Sequence, residues 1–198
     1  ANLVNELTAK GFTTVFTGYD SLTADDMPLT LLIKDGAKVE SAAKGDEVTL
    51  IFESTPFYAF SCGPAGDAGE LHFPAGLVAI YDVQKSPGTN VFLHSGVVAE
   101  GEIKTGEKAR LVVDSGHRLG TVRNHSSTHL LHKALRTVLG DHVRQAGSLV
   151  TFDRLRFDFT NPAAVGPEDI EKLEKLVNEA IRQDYPVTTN VMSLDACP

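Results

Sequence analysis

The hydrophobic pattern of this chain changes period near Arg118, and that change limits the folds open to it. Before it, apolar residues come in short runs: "TTVFTGY", "LTLLIKDGAKVE", "EVTLIFE", "GLVAIYDVQ", "SGVVAEGEI" and "ARLVVD". These runs are β-branched or aromatic and are punctuated by Gly, Pro, Asp and Ser, as short strands are. After it, Leu130, Leu131, Ala134, Leu135, Val138 and Leu139 recur at three and four, the helical period. Strands at regular spacing without an intervening helical pattern predict a small β-barrel over residues 1–116. Residues 117–198 are predicted to form a separate α+β module, with the boundary near residues 114–119.

Local signals fill in this outline. Asp35-Gly36 in "KDGAK" suits a two-residue hairpin turn that needs positive φ. The helical pattern runs from Val122 to Leu139, and Gly140 is a natural stop. In "SLVTFDRLRFDF", Leu155, Phe157 and Phe159 alternate with Arg156 and Asp158, predicting a half-buried strand. "GPEDIEKLEKLVNEAIRQ" reads as a second helix, with Pro167 at its first position and Glu168 and Asp169 where the helix dipole favours anions. Its buried face is predicted to be Ile170, Leu173, Val177, Ala180 and Ile181. "YPVTTNVMSL" reads as a closing strand.

Composition excludes several classes. At 198 residues and 42% apolar content, the chain can bury a real core. No apolar run approaches the roughly 18 residues of a membrane span, and the start lacks the basic and apolar regions of a secretory signal. No membrane partner is therefore expected. Cys62 and Cys197 cannot build a disulfide framework, so a reducing, cytoplasmic setting is expected. The first residue is Ala, and an internal piece of a longer protein is expected.

Net charge is −8, but it is unevenly spread. Residues 1–116 hold 8 basic and 16 acidic side chains; residues 117–198 hold 10 of each. Within 118–156, Arg118, Arg123, Lys133, Arg136, Arg144, Arg154 and Arg156 face only Asp141 and Asp153. A local basic region on an acidic chain can meet a phosphate backbone; equally, some of these residues can pair with acids from the first half.

Three of the seven histidines lie in "RNHSSTHLLHKAL". On a helix, His125, His129 and His132 fall within about 60° of one another, beside the apolar face. A pair four apart can chelate zinc, because the two side chains point the same way. It supplies only two of the three or four protein ligands a site needs, and Ser126 stands where zinc proteases carry a Glu. A solvated polar helix face gives the same pattern.

"RNHSSTHLLHKALRTVLGDHVRQAGSLVTFDRLRFDF" resembles the start of the editing domain of the alanyl-tRNA synthetase family. "FTGYDSL", "TPFYAFSCGPAGDAG" and "HSGVVAEGEIKTGEKARLVVD" resemble the β-barrel that precedes it. The resemblance covers nearly the whole chain in the family's order, and HxxTHLLH, QAGS and RLRFDF in combination are specific. It implies a translation-factor-like barrel followed by an incomplete α+β editing domain. The implied activity is hydrolysis of mischarged Ser-tRNA(Ala) or Gly-tRNA(Ala). An alanine-sized pocket cannot exclude glycine by size and rejects serine weakly, so a second site is needed.

The resemblance also implies roles. His125 and His129 match the first two zinc ligands. Thr128 matches a threonine able to hydrogen-bond the serine side chain, and Gln145 a glutamine of the editing pocket. Arg123, Arg144 and Arg156 are candidates for tRNA contact. Zinc is the implied cofactor, while ATP and Mg belong to an aminoacylation domain that this chain does not contain.

Two departures stand out. The family's remaining metal ligands come from a later Cys-Gly-Gly-Thr-His motif; Cys197 is followed only by Pro198 and does not match it. Where the family carries Glu-Ser-Gly-Gly-Gln after "TPFYA", this chain has Phe60-Ser61-Cys62-Gly63-Pro64. Reduced activity is therefore expected. A tRNA-holding or domain-docking module without catalysis, or a degenerate free-standing editing relative, is the alternative.

Overall fold

The computed structural model describes residues 2–60, 63–186, 188, 192 and 193. Cys62, Cys197 and much of the predicted closing strand lie outside the described residues. The elements are α1 (Asn2–Ala9), β1 (Val15–Phe16), β2 (Thr23–Lys34), β3 (Ala37–Lys38), β4 (Ser41–Ala43), β5 (Glu47–Phe52), β6 (Ser54–Thr55), β7 (Gly69–Phe73), β8 (Gly76–Lys85), β9 (Phe92–Lys104), β10 (Lys108–Val113), α2 (Ser115–Leu139), β11 (Gln145–Val150), β12 (Leu155–Phe159) and α3 (Pro167–Gln183). Two compact units result: residues 1–125 with 148–156, and residues 126–147 with 157–198. The architecture is α+β.

In the first unit, β10, β7, β8, β9, β5 and β2 pair in that order, and β10 pairs back onto β2. The ring is a closed, six-stranded antiparallel barrel, which leaves no open sheet edge among those six strands. Register shifts in the β2–β5, β8–β9 and β10–β2 pairs are local irregularities of the kind that bend strands around a barrel. The predicted turn is present: Asp35 (φ 50°) and Gly36 (φ 75°) are both left-handed, as that hairpin requires. The barrel fills with side chains such as Leu29, Leu32, Leu50, Phe52, Phe57, Leu71, Val78 and Leu111.

The run "LTLLI" does not alternate because β2 is buried on both sides. Leu32 joins the barrel interior, while Leu31 packs with Val4, Ile51 and Val91 in a second cluster that also takes Leu3 and Leu7 of α1. Strand β7 was not foreseen; in "GELHF" Leu71 and Phe73 are buried and alternate with exposed Glu70 and His72. The five-residue run is framed by Gly69 and Pro74, so its period has little room to show.

Helix α2 begins at Ser115, well before the Val122 start that periodicity suggests. Its first turn is capped rather than packed: Asp114 Oδ1 accepts the His117 N–H at 3.0 Å, a bond from an N-cap side chain. One turn on, Arg118 is drawn into the protein. Its Nε donates to Asp67 Oδ1 at 2.9 Å, its Nη1 to the Gly18 carbonyl at 2.9 Å and its Nη2 to the Pro56 carbonyl at 2.8 Å, with a further Nη2 bond to Asp67 Oδ2. Asp67 is almost fully buried and also accepts the Tyr58 N–H at 2.6 Å. Arg118 thus follows the second of the two readings that the charge count left open, pairing with an acid from the first half.

"SLVTFDRLRFDF" is not one strand but two, β11 and β12, paired as a hairpin. Its turn lies on Gly120 of α2, where a Cβ would meet the Phe152 carbonyl at 2.4 Å. The departing loop also contributes: Val150 N–H donates to the Gly63 carbonyl at 3.2 Å, and Ala65 N–H to the Val150 carbonyl at 2.9 Å. Pro64 sits between these two bonds, so its missing N–H costs the bridge nothing.

In the second unit Leu131, Ala134, Leu135, Val138 and Leu139 of α2 pack with Val143, Phe157, Phe159, Leu173 and Val177. Pro167 opens α3 as expected. The predicted buried face of α3 is only partly realised: Leu173 is buried, whereas Ile170 and Ile181 are largely exposed.

His94 lies in the barrel core with no exposed surface. Its Nδ1 faces the Leu50 carbonyl at 3.1 Å, so Nδ1 carries the proton, and its Nε2 accepts from the Thr55 hydroxyl at 2.8 Å. Phe52 and Phe57 meet the ring edge-on. Burial pushes its pKa down to about 4, against a smaller opposing effect of the Leu50 bond. An unfolded histidine titrates near 6.5, so between these values the unfolded chain binds the extra proton and the folded chain does not. Stability from this group is complete above about pH 6.5 and falls by roughly 3 kcal/mol as pH drops to about 4. Urea titrations across that window should show the slope, and His94→Gln, which retains hydrogen-bonding groups without titrating, should flatten it. For the buried pair, Asp67→Ala strands the Arg118 guanidinium and should cost about 3–5 kcal/mol in the same measurement; a loss under about 1 kcal/mol would show that water replaces the carboxylate.

Candidate functional site

The residues singled out from sequence fall on α2 and on the β11–β12 segment. His125 and His129 are one turn apart on α2, and both are exposed. Thr128, adjacent to His129, is buried with 5% of its surface open. One helix thus presents two imidazoles outward and withdraws a hydroxyl between them. The division between the two units falls just after His125.

His132 departs from the predicted stripe. It is only partly exposed, its ring lies 5.2 Å from Phe157, and its Nε2 is shut from solvent without a hydrogen-bond partner. The helical wheel groups three histidines, but packing separates the third, because a residue beside an apolar stripe is covered once Phe157 folds over it.

Gln145 opens β11 and is exposed. Arg144 precedes it, also exposed; its backbone N–H donates to the Thr160 hydroxyl at 3.0 Å and its carbonyl accepts the Thr160 N–H at 3.0 Å. Those bonds fix the entry to β11 from the backbone, leaving both side chains outside. Arg123 on α2 and Arg156 on β12 are exposed too. A groove of about 490 Å³ between the end of α2 and α3 is lined by Thr137, Val138, Lys172, Lys175, Leu176 and Glu179, and none of the seven candidates borders it.

Among the described residues, no group of three or more His, Cys, Asp or Glu side chains converges as a metal site requires. His125 and His129 offer two nitrogen donors of a suitable kind, but a closed zinc site takes four ligands and a catalytic one three plus water. The donor set here does not make a zinc site by itself.

Sequence reasoning left open that some of the seven basic residues pair with first-half acids, as Arg118 does with Asp67; it did not single out His117 and Phe152, which also shape the start of α2. No local signal marks them. Asp67 lies 51 residues before Arg118, and Phe152 meets His117 only because the hairpin folds back onto the helix.

The barrel residues carry a family signature. The family described as tRNA synthetases class II (A) matches residues 1–117, and the chain belongs to that family. Its relatives name a narrower group. An alanine–tRNA ligase from Rhizobium meliloti is 47% identical over 190 residues, 96% of this chain and 21% of that protein. One from Thermus thermophilus is 47% identical over 195 residues, 98% of this chain and 22% of that protein. A third, from Sinorhizobium medicae, is 46% identical over 190 residues, 96% of this chain and 21% of that protein. The chain spans about a fifth of the length of the curated relatives it matches.

Two donors bind metal weakly. Residues 1–198 purified without chelator should hold well under one equivalent of zinc by elemental analysis, and what is held should leave on brief dialysis. Tight, stoichiometric zinc lost in His125→Ala would instead mean that donors beyond the described residues complete the site.

Proposed function

We propose that this chain is the region of an alanine–tRNA ligase that examines mischarged tRNA(Ala), its barrel followed by the first part of an editing domain that hydrolyses Ser-tRNA or Gly-tRNA. The observation that carries the reading is the α2 segment "HSSTHLLH": exposed His125 and His129 flanking a buried Thr128, in a chain 47% identical to alanine–tRNA ligases. A cytoplasmic setting goes with that role; no described helix is long and apolar enough to cross a membrane.

In this reading Thr128 provides selection. Its hydroxyl can hydrogen-bond the serine side chain, a bond that alanine has no group to make, which favours serine by about 1.5 kcal/mol. Gln145 adds an amide that can hold the ester or its amino group. Arg123, Arg144 and Arg156 supply positive charge for the phosphates of the acceptor end. Zinc, when a complete site binds it, polarises an ester carbonyl or lowers the pKa of a water. His125 and His129 would be two of its ligands.

That half-set favours a second reading of residues 1–198 taken alone: they hold tRNA without turning it over. Deacylation of Ser-tRNA(Ala), Gly-tRNA(Ala) and Ala-tRNA(Ala) separates the two. The editing reading expects slow hydrolysis of the first two that falls further in His125→Ala, with Ala-tRNA spared. Thr128→Val should then erode the preference for Ser-tRNA over Ala-tRNA by about tenfold or more. Retained tRNA binding with no hydrolysis above buffer supports the holding module instead.

A further inference from the structure

Phe152, at the tip of the β11–β12 hairpin, is exposed by the fold and yet held still. Just over half of its surface is open, 53%. Its inner side rests on the His117 imidazole, with ring centroids 4.8 Å apart and planes inclined by 31°. The turn beneath it is tied down: Thr151 N–H donates to the Arg154 carbonyl at 2.9 Å, and Asn124 Nδ2 donates to the Thr151 carbonyl at 2.8 Å. The Thr151 hydroxyl donates to Asp153 Oδ1 at 2.7 Å. Gly120 lets the backbone of Phe152 come close enough for all of this. A ring already ordered has little conformational freedom left to lose on binding.

The support is unusual. His117 Nδ1 is shut from solvent without a hydrogen-bond partner, which costs stability and which an aliphatic side chain would avoid. The imidazole offers a flat, polarisable ring behind another flat ring. Around this pair the charge is sparse. Arg154 shares the turn, and Arg123 lies one helical turn along from Gly120; both are exposed. Asp153 is held below the usual carboxylate range, chiefly by the Thr151 hydroxyl, so it is ionised at neutral pH. Two guanidinium groups against two carboxylates, Asp153 and the Asp114 that accepts the His117 N–H, leave no positive excess for a duplex backbone and suit a partner that offers a π face and few phosphates, an unpaired nucleobase.

We propose that Phe152, braced by His117, is a stacking platform for an unpaired nucleobase of RNA, with Arg123 and Arg154 serving its flanking phosphate. The proposal rests on the reading that this chain handles tRNA and assigns a base contact to it.

The chain contains no Trp, so Phe152→Trp introduces a single fluorophore at the platform. Titrated with a short RNA duplex carrying a single-stranded overhang, its emission should be quenched; the same duplex made blunt should leave it unchanged. By competition, Phe152→Ala and Phe152→Leu should each weaken overhang binding roughly 5- to 150-fold, and Phe152→Tyr should retain it. Circular dichroism melts verify that each variant is folded. Equal quenching by blunt duplex overturns the proposal, as does unchanged affinity in Phe152→Leu, which keeps apolar surface but no ring. Loss of overhang binding in Phe152→Ala with no deacylation by any variant would remove the editing reading and leave the platform. Robust deacylation with overhang binding indifferent to Phe152 would do the reverse.

Discussion

The buried pairing of Arg118 with Asp67 determines how the start of α2 meets the barrel. One guanidinium collects a carboxylate and the carbonyls of Gly18 and Pro56, so three stretches far apart in sequence converge on one side chain. A buried ion pair adds little net stability over an apolar filling of the same space. What the planar fork adds is direction, because its donors are rigid and each needs an acceptor at a set angle. This part of α2 has little else: Leu119 and Val122 are largely exposed. The helix is held by polar geometry in its first turns and by apolar packing from Leu131 onward, which is why its hydrophobic period emerges only late.

The sequence was most readable where one local rule acted alone. Asp35-Gly36 marked its turn, Pro167 marked the start of α3, and the barrel strands announced themselves by β-branched runs. Readings failed where burial depended on distant partners. Leu31 and Leu32 are both buried because α1 covers the outer side of β2, and nothing within "LTLLI" indicates a cover. Ile170 and Ile181 occupy the predicted apolar face of α3 yet remain exposed, because periodicity reports which face could be buried and not how much of it meets a neighbour.

The histidines make the same point about the candidate site. A motif reading groups His125, His129 and His132 by angle, whereas folding puts them in two environments. It also puts His94, which no motif marks, in a third: a fully buried neutral imidazole whose two nitrogens are both bonded within the barrel. The pair spacing and the intervening threonine were legible because they lie within one turn of helix. That the pair supplies only two of the ligands a zinc site takes was legible as well; where further donors would come from was not, because that is a matter of convergence in space. Two exposed imidazoles and one buried hydroxyl within a single helical turn are as much as local spacing can place together.

Charge sharpens this further. Of the seven basic residues counted between 118 and 156, Arg118 is spent inside the protein and Arg136 is paired with Asp141 at 2.9 Å. The basic surface that is left is smaller than the count suggested, and the chain around it carries net negative charge. Long-range attraction of a polyanion is correspondingly weak, since a few arginines release few counterions and the acidic barrel opposes approach. A nucleic acid that engages such a chain must draw its affinity from short-range contacts: a ring that stacks on a base, or a buried hydroxyl that pairs with the group the RNA carries. Stacking separates an unpaired base from a paired one and a hydrogen bond reads a particular chemical group, whereas phosphate charge does neither. With so little free positive charge, non-specific attraction of polyanions is weak, and short-range groups decide what such a surface holds.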